Sequence, residues 1–255
     1  MITELSPIVR SLLEKAASDN GFDQDFPTED GWLSFASTQC PLQIWLGTFG
    51  TSLILVGFSQ TNVVRTLGEY GTKFVVPLPL GASGGHSVPD IPALHRVLRR
   101  AFLLSRTLPN ELLNTFRKQT ASMPQTTEAE RLVVQRVGQD LFRQGLLDLW
   151  EGRCAITGLA LTELLRASHI KPWADCANDA ERLDVYNGLL LAPHLDAAFD
   201  RGFITVEDDG RVVLSGSLNE ESLRLLDLDR PHRVRPLHAE HRGYLTWHRE
   251  RVFRK

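Results

Sequence analysis

The sequence predicts an α+β protein of two domains, and three observations carry that prediction. An apolar hairpin pattern stands in the first quarter of the chain. A Ser-, Thr- and Pro-bearing break near residue 123 leads into a capped helix. The second half then runs strand, polar loop, strand and short helix. At 255 residues the chain is long enough for two domains of ordinary size. Its 42% hydrophobic and 23% charged residues are ordinary for a soluble globular protein.

The elements follow in order. Residues 4 to 18 read as a short amphipathic helix with Leu5, Ile8, Leu12 and Leu13 on one face. "LQIWLGTFGTSLILVGF" reads as two strands around a Gly-Thr turn. A helical pattern runs from Ile91 to about Arg106 and carries Arg96, Arg99, Arg100 and Arg106, which form either a solvated face or a phosphate-contacting one. "QTASMPQTT" is the linker, so the domains are expected at 1–122 and 123–255. Thr127 and Glu130 form a capping box that opens a helix to about Leu147, with Val133, Val137 and Leu141 as its buried face.

Farther on, "LLRASHIKPW" reads as a strand ending at Pro172 and "NGLLLA" as a second strand. The polar "ADCANDAERLDVY" between them is long enough for an Ω-type loop. In "PHLDAAFDRG", Pro193 suits the first turn of a helix and Gly202 its stop.

Bulk properties exclude several classes. The three cysteines, Cys40, Cys154 and Cys176, are odd in number and form no CxxC, which argues against a disulfide framework and a structural zinc site. A cytoplasmic location is expected. The first twenty residues lack the pattern of a signal peptide, and no apolar run is long enough to span a bilayer. A net charge of −3 gives no global attraction to nucleic acid, but the charge is polarised. The first thirty residues hold seven acids against Arg10 and Lys15. The last 25 hold Arg233, Arg235, Arg242, Arg249, Arg251, Arg254 and Lys255 against Glu240 and Glu250. That basic tail, with Tyr244 and Trp247, reads as a solvated helix or as a surface that tracks a nucleic-acid backbone.

The second-half pattern can bring together His169 from the first strand's end, Asn187 from the second strand's start and Asp196 from the helix. A neutral imidazole takes a proton from water near pH 7. A side-chain amide orients such a ring or ligates a metal, and a carboxylate holds a hard divalent cation. Those parts suit hydrolysis of a phosphodiester.

Across "RCAITG", "ASHIKPW" and "ERLDVYNGLLLAPHLDAAFDRG" the sequence resembles the HNH endonuclease family, roughly from Trp150 to Ile204. "YLTWHRERVF" resembles the tail of restriction-type members. The resemblance implies a ββα-metal fold in the C-terminal domain, one Mg²⁺ or Mn²⁺ ion, and products with 5′-phosphate and 3′-hydroxyl ends. It casts His169 as general base and Asn187 as the central asparagine, which positions the base loop and in some relatives touches the metal. Asp196 stands where the family usually has its last histidine, and Ser168 where many relatives have an acid.

Asp200 shares the face of Asp196 on a helix, whereas His194 points about 200° away; His194 remains a candidate ligand where "PHLD" precedes the regular helix. Lys171, Arg242, Arg249 and Arg251 are the expected nucleic-acid contacts. The implied partner is double-stranded DNA, unmodified or modified, cut by a homodimer in restriction or defence. The rivals are an inactive DNA-binding module and a nonspecific nuclease toxin. Trp173 reads as a packing anchor or a base-stacking platform, and Cys154 as a buried apolar residue. The N-terminal domain offers no chemical motif, so target recognition, dimerisation and regulation all stand open for it.

Overall fold

The computed structural model describes residues 5–50, 53–68, 70–74, 77–108, 110–234 and 236–255. The chain divides into two compact units, residues 1–108 and 109–255.

The first unit opens with α1 (Pro7–Asp19) and two strands, β1 (Gln24–Glu29) and β2 (Trp32–Ala36). The expected hairpin follows as β3 (Gln43–Phe49) and β4 (Leu53–Phe58), in antiparallel register from Ile44 opposite Phe58 to Phe49 opposite Leu53. Its turn at residues 51 and 52 lies outside the described residues. Then come α2 (Thr61–Thr66), β5 (Thr72–Lys73), β6 (Gly84–Val88) and α3 (Ile91–Thr107). The strands form one antiparallel sheet in the order β1-β2-β3-β4-β6-β5. Trp32, Trp45 and Leu55 pack together at its centre, against Phe74 and Ala82.

Two sequence expectations change here. The buried face of α1 is Leu13, Ala16 and Ala17, while Ile8 and Leu12 face outward. Just beyond α1, Phe22 meets Phe102 of α3 edge-on, with ring centroids 6.1 Å apart. In α3, Arg96, Arg99 and Arg106 are exposed, but Arg100 is buried with its guanidinium over the Tyr70 ring. Arg100 lies at helical spacing from Ala93, Val97 and Leu104, so it belongs to the core side.

The second unit starts with α4 (Glu111–Thr120), which packs along α5 (Glu128–Leu149), so this unit begins ahead of the division that the sequence suggests near Met123. The capping box forms: the Thr127 hydroxyl accepts the Glu130 N–H, and the Glu130 carboxylate accepts the Thr127 N–H. The buried stripe of α5 is not Val133, Val137 and Leu141; Val133 is exposed, and Gly138, Phe142, Gly145, Leu146 and Leu149 face inward. The glycines explain the shift. They carry no hydrophobic signal, yet they let neighbours approach, and a Cβ on Gly138 would lie 2.7 Å from the Trp173 ring.

After α5 a two-stranded antiparallel sheet pairs β7 (Arg166–His169) with β8 (Gly188–Leu191), from Arg166 opposite Leu191 to His169 opposite Gly188. The polar connection is ordered by 3₁₀ turns at Trp173–Asp175 and Val185–Asn187 and by α6 (Asp179–Arg182), capped by the Asn178 side chain. Next is α7 (Pro193–Asp200), with Pro193 in its first turn. It ends in a Schellman motif: Phe203 N–H donates to Ala198 O, and Gly202 N–H to Phe199 O, with Gly202 at φ +72°. The hairpin β9 (Ile204–Val206) and β10 (Val212–Leu214), α8 (Glu220–Leu225) and α9 (His241–Arg251) complete the unit. Among the described residues no helix is long and apolar enough to cross a membrane.

Gly202 has no tolerance for a side chain, because a Cβ there would overlap the Val252 carbonyl. Gly202→Ala is expected to cost about 1–2 kcal/mol from the left-handed φ alone, and the overlap adds to that. A urea-unfolding midpoint equal to wild type would contradict this.

Candidate active site

The second unit carries a cleft of about 560 Å³ walled by α5, β7, α7 and α9. His169, Ser168, Asp196 and Asp200 all line it, so four of the residues singled out in the sequence meet in one place.

The His169 ring is held on three sides. Phe142 of α5 stacks on it at a centroid separation of 3.7 Å and 13°, and the Trp173 ring stands edge-on at 5.6 Å. Its Nε2 lies 2.9 Å from the Arg182 carbonyl oxygen. A carbonyl only accepts, so Nε2 carries the proton and Nδ1 keeps the lone pair in the neutral ring. Burial holds the imidazole below its ordinary pKa of 6.5, partly offset by the Arg182 carbonyl. The ring is therefore neutral and basic at pH 7.

Asn187 is fully buried and does not line the cleft. Its Oδ1 accepts the Lys171 N–H at 2.8 Å. Its Nδ2 faces the Lys171 and Glu181 carbonyls, each at 3.1 Å, and the Cys176 Sγ at 3.4 Å. The amide thus ties the start of the connection to Glu181, the residue before the one whose carbonyl meets His169. Both its Oδ1 and its Nδ2 are engaged there.

The α7 carboxylates are adjacent, four residues apart on one face. Burial raises the Asp200 carboxyl above its ordinary range and the Asp196 charge raises it further; the Ser168 hydroxyl, 3.3 Å away, works against both. His194 is exposed and does not line the cleft, and α7 is already regular at that position.

Two carboxylates and a hydroxyl in one cleft fit a small hard cation, whose charge would relieve the Asp196–Asp200 repulsion. Among the described residues no group of three or more His, Cys, Asp or Glu side chains converges as a metal site. Mg²⁺ commonly takes one or two carboxylates and fills its remaining positions with water and phosphate oxygens. The donor set matches that habit.

The expected nucleic-acid contacts fare unevenly. The Lys171 ammonium pairs with Glu181 at 2.7 Å, which holds its pKa up and closes the loop. Arg249 binds the Val206 carbonyl, the Asp208 carboxylate and the Thr246 hydroxyl, joining α9 to the β9–β10 hairpin. Each of these two cations thus has an internal partner. Arg242 and Arg251 are exposed.

Other side chains complete the surroundings. Phe142 and Arg143 come from α5, well before the motif; Arg143 holds the approach to β7 by donating to the Thr162 and Leu165 carbonyls. Arg166 lines the cleft, is exposed and has no ion pair among the described residues. His248 reaches the cleft from α9. The Cys154 sulfur accepts the Thr157 and Ala192 N–H groups, and Cys176 is buried beside Asn187. Trp173 is half-buried between Gly138, His169 and the Arg182 guanidinium, in keeping with an anchor for the connection.

A neutral base, a carboxylate pair and an unpaired arginine in one cleft are the equipment for water attack on a phosphodiester. Residues 154–207, in the C-terminal half of the chain, match the family model described as HNH endonuclease. No curated protein matches the chain.

Proposed function

We propose that the protein is a divalent-metal-dependent DNA endonuclease built on a ββα-metal unit and acting in restriction or defence. The observation that carries this is the His169 ring. Its Nε2–H is committed to the Arg182 carbonyl, which leaves Nδ1 as a base in a cleft that also holds Asp196 and Asp200.

In this reading Nδ1 of His169 takes a proton from water as the oxygen attacks phosphorus, and the P–O3′ bond breaks on the opposite side. Phe142 and the Arg182 carbonyl keep the ring from turning, so the lone pair stays aimed. Asp196 and Asp200 would hold one Mg²⁺ or Mn²⁺, with Ser168 beside them. Such an ion supplies neutralisation of charge on the phosphoryl and leaving oxygens. Arg166 contacts a neighbouring phosphate, and Arg242 and Arg251 track the backbone. The first unit, residues 1–108, reads the target, unmodified or modified DNA. One such cleft cuts one strand, so duplex cleavage calls for a homodimer.

The test is plasmid cleavage in Mg²⁺ or Mn²⁺, on unmodified DNA and on DNA with modified cytosine. Asp196→Asn is expected to raise the metal concentration needed for half-maximal cutting by at least about tenfold. Tight DNA binding by the wild type with no cutting on either substrate would replace this reading with a non-catalytic binding module.

A further inference from the structure

The cleft contains a second histidine in nearly the same setting as the first. His248 of α9 stacks on Phe199 at 3.9 Å and 8°, as His169 stacks on Phe142. Its Nε2 lies 3.1 Å from the Phe199 carbonyl, as Nε2 of His169 faces the Arg182 carbonyl. The difference is at Nδ1. In His248 that atom is 2.9 Å from the Thr205 hydroxyl, and the residue is 1% exposed. With Nε2–H committed to a carbonyl, Nδ1 accepts the Thr205 proton, so this ring keeps no lone pair for water. It cannot serve as a base.

Its position says what it does instead. Phe199 O is the carbonyl that also accepts the Gly202 N–H in the Schellman turn closing α7. His248 therefore pins the last turn of the helix that carries Asp196 and Asp200. Two more contacts hold α9 to the same assembly. The Tyr244 hydroxyl donates to the Asp184 carboxylate in the turn before β8, and Arg249 donates to the Val206 carbonyl in β9. All three residues lie outside the 154–207 segment that matches the nuclease family.

We propose that His248 is a positioning residue, which sets the spacing of Asp196 and Asp200 for a divalent cation by fixing the C-terminal turn of α7 to α9. The proposal rests on the endonuclease reading above, since it assigns those carboxylates to metal.

The experiment uses the full chain and three variants: His248→Leu, His248→Gln and Thr205→Val. Mn²⁺ binding is followed by electron paramagnetic resonance of the free ion, without DNA. Amide hydrogen exchange at Gly202 and Phe203 is measured with no metal present, and plasmid cleavage is run alongside. Folded His248→Leu is expected to bind Mn²⁺ at least about tenfold more weakly and to lose protection at both amides. His248→Gln, whose amide N–H can reach the Phe199 carbonyl, recovers most of the affinity. Thr205→Val frees the tautomer and weakens binding by a smaller factor. DNA binding in a chelator stays at the wild-type level throughout.

Wild-type Mn²⁺ affinity in folded His248→Leu overturns the proposal, and so does His248→Gln behaving like His248→Leu. If His248→Leu does not fold, Thr205→Val decides: wild-type Mn²⁺ affinity in that variant overturns it. A wild type that neither binds Mn²⁺ nor cuts DNA sinks the endonuclease reading and this proposal together, whereas an active wild type with indifferent variants sinks this proposal alone.

Discussion

Replacing His169 by alanine is expected to lower DNA cleavage by about 10²- to 10⁴-fold, the usual contribution of a positioned general base. The fold should survive, because the ring's neighbours, Phe142 and Trp173, are anchored from α5 and from the connection rather than by the imidazole. Binding of DNA in a chelator should change little, since the base acts on water. The pH profile gives an independent check. Only the unprotonated ring accepts a proton, and burial holds its pKa below the ordinary 6.5. Activity is therefore retained through pH 6.5 and lost only as the pH falls through the lowered value. An acid limb of kcat/KM centred above 6.5, or a folded His169→Ala variant within threefold of wild type, would remove His169 from the role of base.

Asn187→Ala is expected to damage stability and activity together. Its amide satisfies the Lys171 N–H and the Lys171 and Glu181 carbonyls inside the protein. Truncation orphans buried backbone groups, which costs about 2–4 kcal/mol. It also frees the Glu181 carbonyl, next to the Arg182 carbonyl that orients His169, so that end of the connection is held less firmly. Cleavage should fall by at least about tenfold even at temperatures where the variant is folded. Unchanged thermal unfolding would show that the connection does not depend on this amide. Unaltered cleavage in a stably folded variant would detach it from the base.

The elements legible in the sequence were those whose signals are local. The capping box at Thr127 and Glu130, the Pro193 start and Gly202 stop of α7, and the apolar strands on either side of the polar connection depend on residues a few positions apart. The order of His169, Asn187 and Asp196 is also a local pattern, and it led to a cleft that holds the first and third of these. What did not show was what depends on distant packing. The inward face of α5 is marked by Gly138 and Gly145, residues that carry no hydropathy signal, so the valines on another face drew the eye. Nothing in sequence spacing shows Glu181 folding back on Lys171, or the 206–208 hairpin receiving Arg249. His248 sits 49 residues from the carbonyl it holds. The tail "YLTWHRERVF" contains His248 but does not show which carbonyl it meets.

That separation has a consequence for how the cleft comes into being. The residues named by the family pattern leave the ribosome well before α9, and a contact across so long a stretch of chain forms late because its loop-closure entropy must be met first. A nascent or proteolytically shortened chain can thus display every motif residue while its carboxylate helix is still loosely held. On the proposed reading, competence to cut would then follow the docking of α9 rather than the mere presence of the motif residues.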